Sequence, residues 1–133
     1  MATIKRFEDL EIWQESRRLA TEIIVISSTT ELRSDYKLSD QIKGSSGSVM
    51  DYIAQGFERD VSNEFRQFLS LAKESAGATR SQLYRVFDAK YIDEKTLKIL
   101  INDYETLSKR ISSFINYLDK KDFKDSKHRE SKT

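Results

Sequence analysis

The sequence has no cysteine, no proline, a single histidine and only four glycines among its 133 residues. Without cysteine there are no disulfides, no thiolate metal ligands and no thiol nucleophile, and the composition fits a reducing compartment. A chain without proline and nearly without glycine lacks the usual punctuation of loops and edge strands, so long uninterrupted helices are expected. The one histidine, His128, stands near the C-terminus, and no Glu-x-x-His pair of the kind that holds two metals in helical bundles is present. No apolar run approaches the roughly 20 residues of a membrane span. Met1 to Arg6 leads into the acidic, amphipathic Phe7 to Glu15, not into a signal-peptide core. A cytoplasmic protein with no membrane partner is the expectation.

What is present is charge and helical periodicity. Lys and Arg total 23 against 22 Asp and Glu, a formal charge of +1 that gives no global field for attracting polyanions. The charge is unevenly placed. Lys120 to Thr133 carries six basic residues against three acidic ones, which leaves the body slightly acidic. Two regions follow: a bundle domain over 1–119 and a charged tail over 120–133, where the apolar pattern fails except at Phe123 and disorder is expected.

Four amphipathic segments fill the body. The first is expected from about Glu8 or Asp9 to Ser28, with two adjacent apolar stripes: Leu10, Trp13, Ala20 and Ile24 on one, Ile12, Leu19, Ile23 and Ile26 on the other. A face that wide either sinks into its own bundle or meets another subunit. A polar connection, Ser27 to Lys37, leads to a second helix capped near Ser39 and ending near Gly56. Its middle, Gly44-Ser45-Ser46-Gly47-Ser48, lies between apolar residues that keep helical register, so it is read as a thin waist against which a neighbouring helix packs closely. A phosphate loop would need a preceding strand and a terminal Gly-Lys-Ser/Thr, both missing. Ser62 is expected to cap a third helix running to about Lys90, with Gly77 in its own thin segment. Asp93 is expected to cap a fourth, with core positions from Leu97 to Leu118. The fold class expected is all-α, an antiparallel up-down-up-down four-helix bundle.

Chemistry is sparse. The body has no histidine to act as a base and no strand-turn-helix elbow to expose a serine, so no catalysis, no metal and no cofactor are expected. The strongest functional signal is basic. Arg59, Arg66, Lys73 and Arg80 are spaced by sevens, and on a helix the last three form a nearly straight ridge suited to nucleic acid. The competing reading is a solvated helix face whose charges are offset by acids such as Glu74. Arg17 and Arg18 lie together on the first helix.

Several short pieces, in order, carry a resemblance. Phe7-Glu8-Asp9-Leu10 with Ile12-Trp13 comes first, followed by Tyr36-x-Leu38-x-x-Gln41-Ile42, then Ser48 and Ile53-Ala54-x-Gly56. Glu64-Phe65, Phe68-Leu69, Ala72-x-x-Ser75 and Tyr91-Ile92 complete the set. Over about Phe7 to Leu118 the chain resembles the bacterial four-helix-bundle proteins encoded in intervening sequences of 23S ribosomal RNA genes. The resemblance implies a homopentamer. A related branch, the accessory variability determinant of diversity-generating retroelements, is a basic barrel that binds a reverse transcriptase and nucleic acid, which implies RNA or a nucleic-acid-associated protein as a partner.

This chain departs from the family pattern at two carboxylate positions, which are Gln55 and Ala78 here, and at one basic position, where Lys43-Gly44 replaces Arg-Arg. A protein-binding scaffold without nucleic acid is the alternative function.

Overall fold

The computed structural model describes residues 4–131, with side chains described for 4–121. Among these residues the chain forms four α-helices and no strand: α1 (Glu11–Thr29), α2 (Tyr36–Phe57), α3 (Ser62–Asp88) and α4 (Glu94–Ser131). Each helix packs on its sequence neighbours, and α1 closes the bundle against α4 through the sparsest of these contacts. The α4 backbone continues through Lys120 without a break to Ser131, while the side chains of the expected charged tail lie outside the described residues from position 122 onward. His128 is among those.

The helix boundaries follow local hydrogen bonding more than the apolar pattern alone. A short 3-10 turn, Phe7–Asp9, precedes α1, which therefore begins at Glu11 and not at Glu8 or Asp9. The connection between α1 and α2 is shorter than the polar stretch suggested. Thr30 caps a 3-10 turn over Glu31–Ser34 by accepting from the Leu32 amide, and Leu32 is fully buried. Asp35, not Ser39, then caps α2 by accepting from the Leu38 amide at 3.3 Å. Its other carboxylate oxygen accepts a 2.9 Å bond from the Tyr91 hydroxyl, which ties this connection to the α3–α4 turn.

The α3–α4 turn has its own signature. Tyr91 N–H reaches Val86 O and Lys90 N–H reaches Phe87 O, the paired bonds of a Schellman motif, with Lys90 left-handed at φ 68° where glycine is usual. Asp93 caps α4 as expected, accepting from the Thr96 amide at 2.8 Å.

The core is built from the expected faces. Leu19, Ile23, Ile42, Val49, Ile53, Leu69, Leu83, Leu107 and Ile111 are each no more than 1% exposed. Both α1 stripes reach the core, through Ile12, Leu19 and Ile23 on one and Leu10 and Ala20 on the other; within the second, Ile24 is 55% exposed, beside Val25 at 51%.

The glycines require a correction. Gly44, Gly47 and Gly77 are not close-packing positions: a Cβ added at any of them would meet nothing within 4 Å beyond its own helix. The waist does meet α3, but through its serines: Ser45 Oγ lies 2.8 Å from Thr79 Oγ1 and Ser46 is buried, while the glycines on either side make no such contact. Gly56 is the close contact, since its Cβ would lie 2.7 Å from Phe68 Cβ and 2.9 Å from Phe65 Cδ1. Those phenylalanines belong to an aromatic cluster, with Phe57 and Phe65 edge to face at 6.0 Å and Phe65 and Phe114 at 5.5 Å.

Opposite effects are therefore expected from the same substitution. Gly56→Ala should destabilise by about 1–3 kcal/mol through overpacking. Gly44→Ala and Gly77→Ala should each stabilise by about 1 kcal/mol through helix propensity. Urea denaturation of the three variants checks this, and a stabilising Gly56→Ala would remove the close-contact assignment.

Candidate nucleic-acid interface

Charges on this bundle separate into paired and unpaired groups. Arg18 bonds Glu15 and Glu22 at 3.0 Å on its own helix and reaches Asp103 on α4 at 3.4 Å. The Glu15 hydrogen bond, foremost among these contacts, raises the Arg18 pKa. Arg17 lies over the Trp13 ring at 5.6 Å. Both arginines of the first helix are thus engaged within the molecule.

The heptad row divides when placed on the structure. Arg59 is in the α2–α3 turn, outside the helix, with its guanidinium 5.3 Å from the Phe68 ring centre. Arg66 is half-buried and bonds Asp119 of α4 through Nε at 3.0 Å and Asn63 at 3.2 Å. Lys73 and Arg80, two helical turns apart on α3, come together along an open groove against α4. The groove has a volume of about 490 Å³ and is lined on the α4 side by Glu105, Ser108, Lys109 and Ser112. Among the described residues neither Lys73, Arg80 nor Lys109 has a carboxylate within ion-pair distance. The face toward α4 therefore carries three such cations beside the single carboxylate of Glu105.

Two polar atoms there lack partners. Arg80 Nε and Ser108 Oγ are both buried without a hydrogen bond among the described residues, although Ser108 is only 8% exposed. Lys109 and Ser108 were not singled out from sequence, because α4 read as a core helix and its polar face gave no periodic signal. Knowing which α4 residues oppose Lys73 and Arg80 requires the α3–α4 register.

The interior offers a contrast. Thr79 of α3 is fully buried and its hydroxyl is 2.8 Å from Ser45 Oγ of α2, which also donates to Gln82 Oε1 at 2.5 Å. Arg85 donates to Gln41 at 2.9 Å beyond it. These links, not positions 55 and 78, form the polar contact between α2 and α3. Gln55 and Ala78 are exposed, and in a hairpin where Gly56 meets Phe65 and Ser45 meets Thr79 they stand about ten residues, or ~15 Å, apart along the axis.

Elsewhere the fully buried Tyr104 hydroxyl has no partner among the described residues, and burial raises its pKa so that it stays protonated. No group of three or more His, Cys, Asp or Glu side chains gathers among the described residues, and none of the helices is long and apolar enough to cross a membrane.

The model of the family called 23S rRNA-intervening sequence protein matches residues 8–113. The chain belongs to this family. A solved structure from Bacteroides thetaiotaomicron, a protein with unknown function from the S23 ribosomal protein family, is 22% identical with a TM-score of 0.70. The match covers 79% of this chain and 95% of that one, and at this identity it shows the shared fold. Among curated proteins none matches. Family membership thus agrees with the resemblance read from the short motifs, and the bundle is the family's fold.

Burial without a partner gives Ser108 an inverted stability profile. Ser108→Ala should leave stability unchanged or raise it, because it removes an unsatisfied hydroxyl, whereas Thr79→Val should cost about 1 kcal/mol by breaking a satisfied one. Thermal unfolding of both variants tests the contrast, and a clear loss in Ser108→Ala would mean the hydroxyl is bonded in solution.

Proposed function

We propose that this protein is a non-enzymatic, cytoplasmic assembly protein that forms a homopentamer and binds RNA or a nucleoprotein along the α3–α4 face. The observation that carries the binding reading is the set of cations without carboxylate partners among the described residues, Lys73, Arg80 and Lys109, gathered on one face of a nearly neutral chain. Cations held in internal pairs have already spent their charge, while unpaired ones release counterions when they meet phosphates. Repetition around an oligomer multiplies such a patch. Arg66 lies on the same side of α3 but is paired with Asp119, and Arg59 lies at the α2–α3 end over the Phe68 ring, so neither is counted among the unpaired cations.

Assembly is supported by an apolar seam. Val25 and Ile26 of α1 and Ile99 and Leu100 of α4 line a shallow groove of about 330 Å³, with Val25 and Ile99 each 51% exposed. Exposed aliphatic side chains clustered at a helix–helix seam are the kind of surface that a second subunit covers.

Light scattering at micromolar concentration should give a pentamer for the natural sequence and a smaller, still folded species for Val25→Glu with Ile99→Glu. A monomeric natural chain would end the assembly reading.

For binding, RNA retention should fall with salt. Replacing Lys73, Arg80 and Lys109 by alanine should lower the log–log salt slope on single-stranded RNA by about 2, from ~0.7 per lost phosphate contact. An unchanged slope would remove this face as the RNA site, and a protein partner retained at high salt would favour the scaffold reading.

A further inference from the structure

We propose that Arg18 is a charge catch that holds the α1–α4 seam closed over the Tyr104 hydroxyl, and that salt releases it. The catch is independent of the RNA reading and of the assembly reading, although it lies on the side of the bundle where a second copy would sit. One guanidinium serves three carboxylates, Glu15 and Glu22 of its own helix at 3.0 Å and Asp103 of α4 at 3.4 Å. Among the described residues no other ion pair crosses from α1 to α4. The crossing falls where the packing between neighbouring helices is sparsest. Glu22 also lines the apolar groove of Val25, Ile26, Ile99 and Leu100, so the catch stands at the edge of that groove.

Charge and burial oppose each other at this point. Three carboxylates around one arginine leave an excess of two negative charges, so without Arg18 the acids of α1 and Asp103 of α4 repel one another across the seam. The next residue, Tyr104, is fully buried and its hydroxyl has no partner among the described residues. Burial raises the Tyr104 pKa foremost, the Glu22 charge raises it further and Arg18 lowers it, so the hydroxyl lies within the field of the same cluster. When the seam parts, that hydroxyl regains hydrogen bonds with water. The closed seam thus carries a cost that the open one does not, and Arg18 offsets it. Because the Arg18 side chain is 45% exposed and that of Asp103 27%, dissolved ions reach the pair and screen it.

Hydrogen exchange of the full-length protein, read by mass spectrometry on peptides from α1 and from residues 97–107 of α4, reports local opening of the seam. In the natural sequence, exchange in both segments should quicken about threefold from low to high NaCl. Asp103→Asn should quicken it at low salt by a similar factor and abolish the salt response. Arg18→Gln should invert the response, because salt then screens a repulsion and exchange slows as salt rises. Tyr104→Phe should slow exchange about fivefold at either salt by removing the buried hydroxyl. Lys98→Gln, which breaks a pair with Glu94 confined to α4, should behave as the natural sequence does.

Circular dichroism verifies that each variant is helical, and the nearly isosteric Asp103→Asn keeps the test decisive where Arg18→Gln unfolds. Exchange indifferent to salt in the natural sequence, or a salt response that Asp103→Asn leaves unchanged, overturns the catch. Faster exchange in Tyr104→Phe overturns the cost assigned to the hydroxyl. Repeating the series in the Val25→Glu, Ile99→Glu background separates the catch from subunit contact. The same order of variants there supports the catch whether or not the natural chain assembles, and loss of that order assigns the salt response to assembly and overturns the catch alone.

Discussion

The close approach of α2 to α3 at Gly56 is the constraint on which the rest of the arrangement depends. With Gly56 against Phe65 and Phe68, the turn between the two helices is short and their register is set from the first turn of α3. Everything further along α3 inherits that register. Thr79 arrives opposite Ser45, Arg85 opposite Gln41, and the opposite side of α3 is left to meet α4 through Arg66, Lys73 and Arg80. A side chain at position 56 would push the hairpin apart at its tightest point and shift each of those pairs. The aromatic cluster around Phe57, Phe65 and Phe114 then carries the same constraint to α4.

Two kinds of polar residue are sorted by this packing. Inside the α2–α3 interface Ser45 links the others: its hydroxyl is bonded to the Thr79 hydroxyl and donates to Gln82 Oε1. Along the α3–α4 face the same economy is absent, and Arg80 Nε and Ser108 Oγ are buried without partners. Ser27 Oγ of α1 and the Tyr104 hydroxyl of α4 are likewise buried without partners among the described residues, so such groups are spread over three helices.

Most of the fold was legible in the sequence, because helical periodicity and the missing proline are local signals. The buried stripes of α1, α3 and α4 and the Asp93 cap follow from them directly. The boundary at Asp35 was not, since its capping role depends on a 3-10 turn that buries Leu32 within a polar-looking stretch. The glycine waist misled for a related reason: composition records the size of a side chain but not the distance to its neighbour, and only Gly56 has a neighbour in contact. Lys73 and Arg80 were visible as a repeat, yet their separation from Arg59 and pairing with Lys109 needed the turn at residues 58–61 and the α3–α4 register. Ser108 left no sequence signal at all, because a serine between core positions looks the same whether or not its hydroxyl is bonded.

The thin α1–α4 contact has a consequence for how the molecule opens. It joins the two helices farthest apart in sequence, so closing it fixes the longest loop in the chain through the sparsest packing of the four neighbouring helix pairs. The α2–α3 hairpin, with denser packing and internal hydrogen bonds, is held more firmly than that seam. Packing density thus makes the α1–α4 seam, where Val25 and Ile99 face outward, the weakest closure of the bundle, and a neighbouring copy seated there would act as its fifth wall.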